Sequence, residues 1–241
     1  LQPKMIKPLV ILFLLGALQG AIGWIMVASG LEGDAVYVKP TRLALHFIFA
    51  LGLLSYTYWF ALSLTVKPLM SLQNFKQSIQ DSAFAKRFTT IRTGAWVIVF
   101  ILFFQFLYGA LMAGHKAANV ASTWPTINGE WVPTNLMGTD SFFLNAIDNT
   151  IWIHFVHRGL AYLLLIVIVI WNRNLLKIQA PGFWKWARIL PMLLVFIQVT
   201  LGILSVLLST GIVPGKWGGF ETFAQIHQLV GMLLLLSVVN V

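Results

Sequence analysis

Hydrophobic residues along this chain fall in long unbroken runs rather than in alternation. Six runs, at roughly 8–28, 42–66, 94–114, 150–171, 188–209 and 222–241, each have the length of a helix crossing a bilayer, for which ~20 apolar residues suffice. A membrane β-barrel would show strands of about 10 residues with period-two alternation. These runs do not alternate, so the pattern predicts an all-α fold, a polytopic membrane helix bundle.

Polar positions inside the runs recur in phase. The odd-numbered runs carry Gln19-Gly20-Ala21-Ile22-Gly23, Gln105-Phe106-Leu107-Tyr108-Gly109 and Gln198-Val199-Thr200-Leu201-Gly202, a glutamine followed four residues later by glycine. The even-numbered runs each carry a histidine near their start, His46, His157 or His227, with a small residue four further on, Ala50, Ala161 or Gly231. Four residues is about one helical turn, so the small residue shares a face with the imidazole and predicts room for something flat beside it. The repeating unit is a helical hairpin: a Gln-x-x-x-Gly helix, an outer loop, then a histidine helix. The glutamine-to-histidine separations are 27, 52 and 29 residues, the middle hairpin having the longer loop. A polar side chain next to a gap suits close backbone approach and an interhelical hydrogen bond.

Hairpins close naturally into four-helix bundles, with cofactors held between facing helices. Residues 94–241 make one complete bundle, 71–93 a basic inner connection, and 1–70 the second hairpin of another half. Six spanning helices of an expected eight are therefore present, and an upstream hairpin with a fourth histidine is expected. The chain opens at Leu1 without an initiator methionine or signal pattern and is still apolar at Val241, which reads as part of something longer.

Composition strengthens the membrane reading and redirects the charge. Residues are 59% hydrophobic and 10% charged, with a mean hydropathy of +0.84, where soluble domains carry about a quarter charged. A net charge of +9 raises the question of nucleic acid, and its distribution decides. Lys4 and Lys7 precede the first run. Lys67, Lys76, Lys86, Arg87 and Arg92 against Asp81 fill the second connection, and Arg173, Lys177, Lys185 and Arg188 the fourth. Glu32, Asp34, Glu130, Asp140, Asp148 and Glu221 fall in the other connections. This alternation follows the positive-inside rule and places the amino end on the cytoplasmic or matrix side. The basic stretch 71–92 is expected on an anionic lipid surface, and no nucleic-acid partner is needed. The absence of cysteine excludes disulfides and thiolate ligands.

Because the even runs pass from outside to inside, His46, His157 and His227 are expected at one depth near the outer surface. Ionisable groups are costly within a membrane and mark function. His154 competes with His157, but the residue four after it is Arg158 rather than a small one, which selects His157 and leaves His154 a supporting role. His115, at the start of the outer loop, reads as a solvated residue. No run carries Asp or Glu in its middle, which argues against a carboxylate-bearing non-haem iron site. Two imidazoles from facing helices suit a six-coordinate haem. The candidate metal ligands are His157, His227 and His46, with Arg42 and Arg158 within reach of propionates; helix-end snorkelling is the competing reading of Arg158. The loop 115–149, punctuated by Pro125, Asn128-Gly129 and Pro133, reads equally as a lid or as a plain surface loop.

Leu18 to Leu31, the Arg42-x-x-x-His46 start, Asn119 to Pro133 with its Thr-Trp-Pro core, His157-Arg158 and Ile226-His227-Gln228 resemble the haem A synthase family, in its cysteine-free branch from mitochondria and related bacteria. The resemblance covers essentially the whole chain. It implies eight spanning helices in two pseudosymmetric four-helix halves, and oxidation of a methyl group of haem O to the formyl group of haem A. It further implies that His157 and His227 bind a haem B cofactor, and that His46 is one of two histidines on the haem O substrate side. The partner of His46 and a catalytic glutamate belong to the family's first hairpin, which this chain lacks. Nothing is carried over to His154.

The implied setting is a bacterial cytoplasmic or mitochondrial inner membrane. The implied partners are haem O synthase, an electron donor, cytochrome oxidase assembly factors and a possible second copy of the chain. Two other classes compete: a bis-histidine membrane cytochrome acting only in electron transfer, and a transporter with histidine proton relays, which would purify colourless.

Overall fold

A computed structural model of the chain describes residues 3–30, 37–67, 70–138, 141–178 and 182–240. Glu32, Asp34 and Asp140, part of the charge pattern above, and Leu31, the last residue of the first motif, lie outside the described residues. The described residues are mostly helical, and six helices are long and apolar enough to cross a membrane.

The chain runs α1 (Pro3–Ala28), α2 (Pro40–Thr65), the short α3 (Leu72–Ser78), α4 (Ser82–Gly114), a 3₁₀ turn (Ala117–Ala121), α5 (Phe142–Asp148), α6 (Thr150–Leu175), α7 (Phe183–Ala187), α8 (Leu190–Leu208), a second 3₁₀ turn (Ser209–Gly211) and α9 (Gly219–Val239). Local chemistry sets several of these starts. Asn149 caps α6 by accepting from the N–H groups of Ile151 and Trp152 at 3.0 and 3.1 Å. At α9 the Glu221 carboxylate reaches back to the Gly218 N–H at 2.8 Å, an acidic group at the positive end of the helix.

Helix α4 begins at Ser82 rather than at residue 94, where hydropathy placed the third span. Asp81 caps it by accepting from the Ala83 N–H at 2.9 Å. The helix then carries Lys86, Arg87 and Arg92 before entering its apolar stretch. Ahead of it the Phe75 ring of α3 meets Phe84 and Phe88 edge to face, folding the basic connection back on α4.

Helices α4, α6, α8 and α9 pack into one four-helix unit: α4 on α6, α8 on α9, α6 on α8 and α4 on α9. The α1–α2 hairpin joins it through α2, which lies on α4 and α9. In lipid the hydrophobic effect does not draw helices together, so packing fit and interhelical hydrogen bonds must. The interior seam is correspondingly tight, with Ile98, Leu102, Leu164, Ile168, Leu234 and Val238 almost wholly buried. Outward-facing residues such as Phe13 (75% exposed) and Phe100 (65%) are apolar, as a lipid-facing surface requires.

Candidate functional site

Each glutamine of the odd spans meets the histidine of the following span. Gln19 Nε2 lies 3.2 and 3.3 Å from the two ring nitrogens of His46 and donates to the His46 carbonyl at 3.2 Å. Gln105 Nε2 lies 3.2 Å from His157 Nε2, and Gln198 Nε2 lies 3.3 Å from His227 Nε2. The interhelical hydrogen bond expected of these glutamines is present in all three hairpins. The amide oxygens of Gln19, Gln105 and Gln198 are all buried without a hydrogen-bond partner.

The glycine of each motif lies against the same imidazole. A Cβ added at Gly23, Gly109 or Gly202 would stand 2.9, 3.2 or 3.0 Å from Cε1 of His46, His157 or His227. For His227 this corrects the expectation that the small residue one turn after the histidine supplies the open space. At Gly231 that space is taken by the Gln198 amide and the edge of Phe106, at 3.1 and 3.2 Å from an added Cβ. The residue that clears the ring comes from the neighbouring helix.

The histidines occupy matching places along their helices. Each lies about two turns inside its helix, counted from Pro40, Thr150 or Gly219, which is ~9–12 Å at 1.5 Å per residue. His157 and His227 come together across the four-helix unit, with ring centroids 6.4 Å apart and planes at 69°. His227 Nδ1 is 3.0 Å from the Gln198 carbonyl oxygen. His46 belongs to the α1–α2 hairpin and is partly exposed.

The remaining candidates take other places. His154 is wholly buried, and its Nε2 donates to the Ala117 carbonyl at 2.7 Å. Arg158 donates through its terminal nitrogens to the carbonyls of Ala121 (2.5 Å), Thr123 (2.8 Å) and Thr126 (3.2 Å). It is bound to the outer loop, neither snorkelled to solvent nor free. Arg42 is exposed one turn before His46 and, with Lys39, Trp24 and Ser29, lines a cavity of about 310 Å³ where α1 ends and α2 begins. His115 is tied to the Ile147 carbonyl at 2.8 Å, with Asp148 3.6 Å away.

The outer loop is built rather than loose. Ala117 and Ala121 are fully buried under it, Ser122 bonds Ser209 at 2.7 Å, and the Trp124 indole donates to Tyr162 at 3.1 Å. Ile127 and Glu130 exchange backbone bonds around Asn128-Gly129, whose φ values of +52° and +94° are those of the tight Asn-Gly turn that the sequence predicts. Tyr162 and Ser209 escaped the sequence reading because only the loop's folded path brings them to their partners.

Fold and site together define a polytopic helical membrane protein with paired imidazoles between facing helices. The chain belongs to the family described as cytochrome oxidase assembly protein, whose sequence model matches residues 1–239. Among its relatives are proteins named haem A synthase. The one from Paracoccus denitrificans is 34% identical over 199 residues, 83% of this chain and 50% of that one. Those from Beijerinckia indica and Bartonella quintana are 34% and 30% identical, covering 93% and 98% of this chain and 57% and 59% of theirs. The chain thus spans about half the length of the curated relatives it matches. No solved structure matches it.

Proposed function

We propose that this protein acts in haem A synthesis, oxidising a methyl group of haem O to the formyl group of haem A for cytochrome oxidase, with haem B held by His157 and His227 and haem O on the His46 side. The observation that carries the reading is the pair His157 and His227, brought from two helices to 6.4 Å between ring centroids. With metal–nitrogen bonds of ~2 Å and ~1 Å more from each nitrogen to its ring centre, two imidazoles on one iron stand ~6 Å apart. Among the described residues no three or more of His, Cys, Asp and Glu cluster, so the donor set suits a metal that brings its own equatorial nitrogens. The unpartnered amide oxygens of Gln105 and Gln198 mark the same place as one built for a further group.

A bis-imidazole haem, when bound, supplies one-electron transfer. The chain's own part is orientation and enclosure. The Gln198 backbone carbonyl holds His227 at Nδ1 and leaves Nε2 for iron, the glycines let the imidazoles sit close to α4 and α8, and the outer loop held by Arg158 and His154 closes the adjoining end of the unit. His46, on the equivalent hairpin and at the same depth, orients the substrate. The six-helix unit resides in an energy-transducing membrane with its amino end on the basic side; haem O synthase, an electron donor and oxidase assembly factors are its partners, and residues 1–70 and 94–241 form its substrate and cofactor halves. The test is to express the protein in cells that make haem O and no haem A, extract the haems and weigh them. A formyl-bearing product is expected. A low-spin haem spectrum with haem O unconverted would instead support the bis-histidine electron carrier, and a colourless preparation would overturn both.

A further inference from the structure

We propose that Gly202 and the backbone carbonyl of Gln198 form a positioning device that fixes which nitrogen of His227 is presented to a haem iron, and that Gly109 and Gly23 give the same clearance to His157 and His46. A carbonyl oxygen only accepts hydrogen bonds, so the 3.0 Å contact between His227 Nδ1 and the Gln198 oxygen requires the proton on Nδ1. A neutral imidazole then has its lone pair on Nε2. The Gln198 amide, 3.3 Å from Nε2, agrees, since its N–H donates into that lone pair.

The four-residue spacing follows from helix geometry. The carbonyl of residue 198 points along the axis toward the N–H of residue 202, so the side chain at 202 borders that carbonyl. Alanine there would put its Cβ 3.0 Å from Cε1, 3.5 Å from Nδ1 and 3.7 Å from Nε2 of His227, across the edge of the ring that faces α8. Glycine opens the groove, and the ring enters it. General helix packing does not account for the choice. Gly16, Gly20, Gly52 and Gly159 stand on the same spans, and an added Cβ at any of them meets nothing within 4 Å. The three glycines in phase with glutamine each meet Cε1 of a histidine.

The role toward iron rests on the reading of His227 as a haem ligand; the tautomer does not. When a ligating histidine donates its other N–H to a carbonyl, the ring orientation is fixed and the ligand becomes more basic. A more basic ligand favours ferric iron.

The test uses the protein purified in detergent, labelled with ¹⁵N-histidine and reduced so that any low-spin haem is diamagnetic. The His227 signal, assigned by its loss in His227→Gln, is expected to carry its proton on Nδ1 and to resist exchange with D₂O. A proton on Nε2, or a freely exchanging Nδ1 proton, overturns the proposal. In haem-loaded protein, Gly202→Ala is expected to raise the midpoint potential of the low-spin haem by about tenfold in ferric-to-ferrous preference, ~59 mV for a one-electron couple. Gly109→Ala, with the milder 3.2 Å approach, is expected to shift it less, and Gly159→Ala not at all. Equal potentials in Gly202→Ala and Gly159→Ala overturn the proposal. A colourless protein with the proton on Nδ1 would refute the haem reading and leave the positioning of His227 standing.

Discussion

Arg158 and His154, one turn apart on α6, hold the same piece of the outer loop. The Arg158 guanidinium donates to His154 Nδ1 at 3.4 Å while His154 Nε2 donates to Ala117, so the ring is neutral and the pair reaches residues 117 to 126 together. Hydrogen bonds to a charged group contribute about 1.5–3 kcal/mol each, and three carbonyls depend on this one. Arg158→Met is expected to speed proteolytic cleavage within residues 115–138 at least tenfold. Arg158→Lys should restore little, because one ammonium cannot reproduce a planar fork spanning three carbonyls. Unchanged cleavage with an altered haem spectrum would assign Arg158 to a propionate instead.

The proposed haem site divides the histidines into ligands and supports. His157→Ala or His227→Ala should each abolish the low-spin haem absorption, since a six-coordinate iron needs both imidazoles. His154→Gln should retain it, because an amide can still donate to the Ala117 carbonyl. Optical and electron paramagnetic resonance spectra of the purified variants check this. A low-spin signal surviving in both ligand variants would remove the pair from consideration.

The hairpin repeat was legible because lipid imposes it: apolar runs show where a helix spans, and the few polar residues within them need partners. The separations of 27, 52 and 29 residues turned out to be hydrogen-bonded pairs, Gln19 with His46, Gln105 with His157 and Gln198 with His227. Which glycine clears which ring was not legible, since Gly202 and Gly231 both stand one turn from a key residue and only the approach of α8 to α9 decides between them. The start of α4 was missed for another reason. Hydropathy sees where a helix enters the membrane and is blind to the three charged turns ahead of it, whereas the Asp81-Ser82 cap was there to be read. The loop contacts of Arg158 were not legible, because the carbonyls that engage it come from a loop more than 30 residues away.

Near the start of the α4 apolar stretch and the end of α6, the two helices meet at Gly94 and Trp171. The Trp171 indole lies on the Gly94 backbone and donates to the Ile91 carbonyl at 2.8 Å, deep in the seam. A Cβ at position 94 would collide with the ring itself, which has no flexible end to yield. Overpacking of this kind costs about 1–3 kcal/mol. Gly94→Ala should lower the thermal unfolding midpoint in detergent, while Gly52→Ala, where nothing stands within 4 Å, should leave it unchanged or raise it slightly. Equal midpoints would mean that the α4–α6 seam is wider than described.

Tyr37 and Lys116 join the first and second outer connections by charge. The Lys116 ammonium sits 3.1 Å from the Tyr37 ring centroid, and its hydrogen bond and then its positive charge hold the phenol below its ordinary pKa of 10.0. The sign of the pH effect follows. A depressed acid stabilises the folded arrangement fully above pH 10 and loses that contribution as pH falls through its lowered folded value, so near neutrality only the attraction between cation and ring remains. Both groups are on the surface, so salt should weaken the alkaline effect. In an absorbance titration at low salt, one of the five tyrosines should ionise ahead of the rest. Lys116→Met should return it to the ordinary range, and molar salt should move it part of the way. If the early step persists in Lys116→Met, another cation lowers the phenol and the two connections are not coupled through this pair.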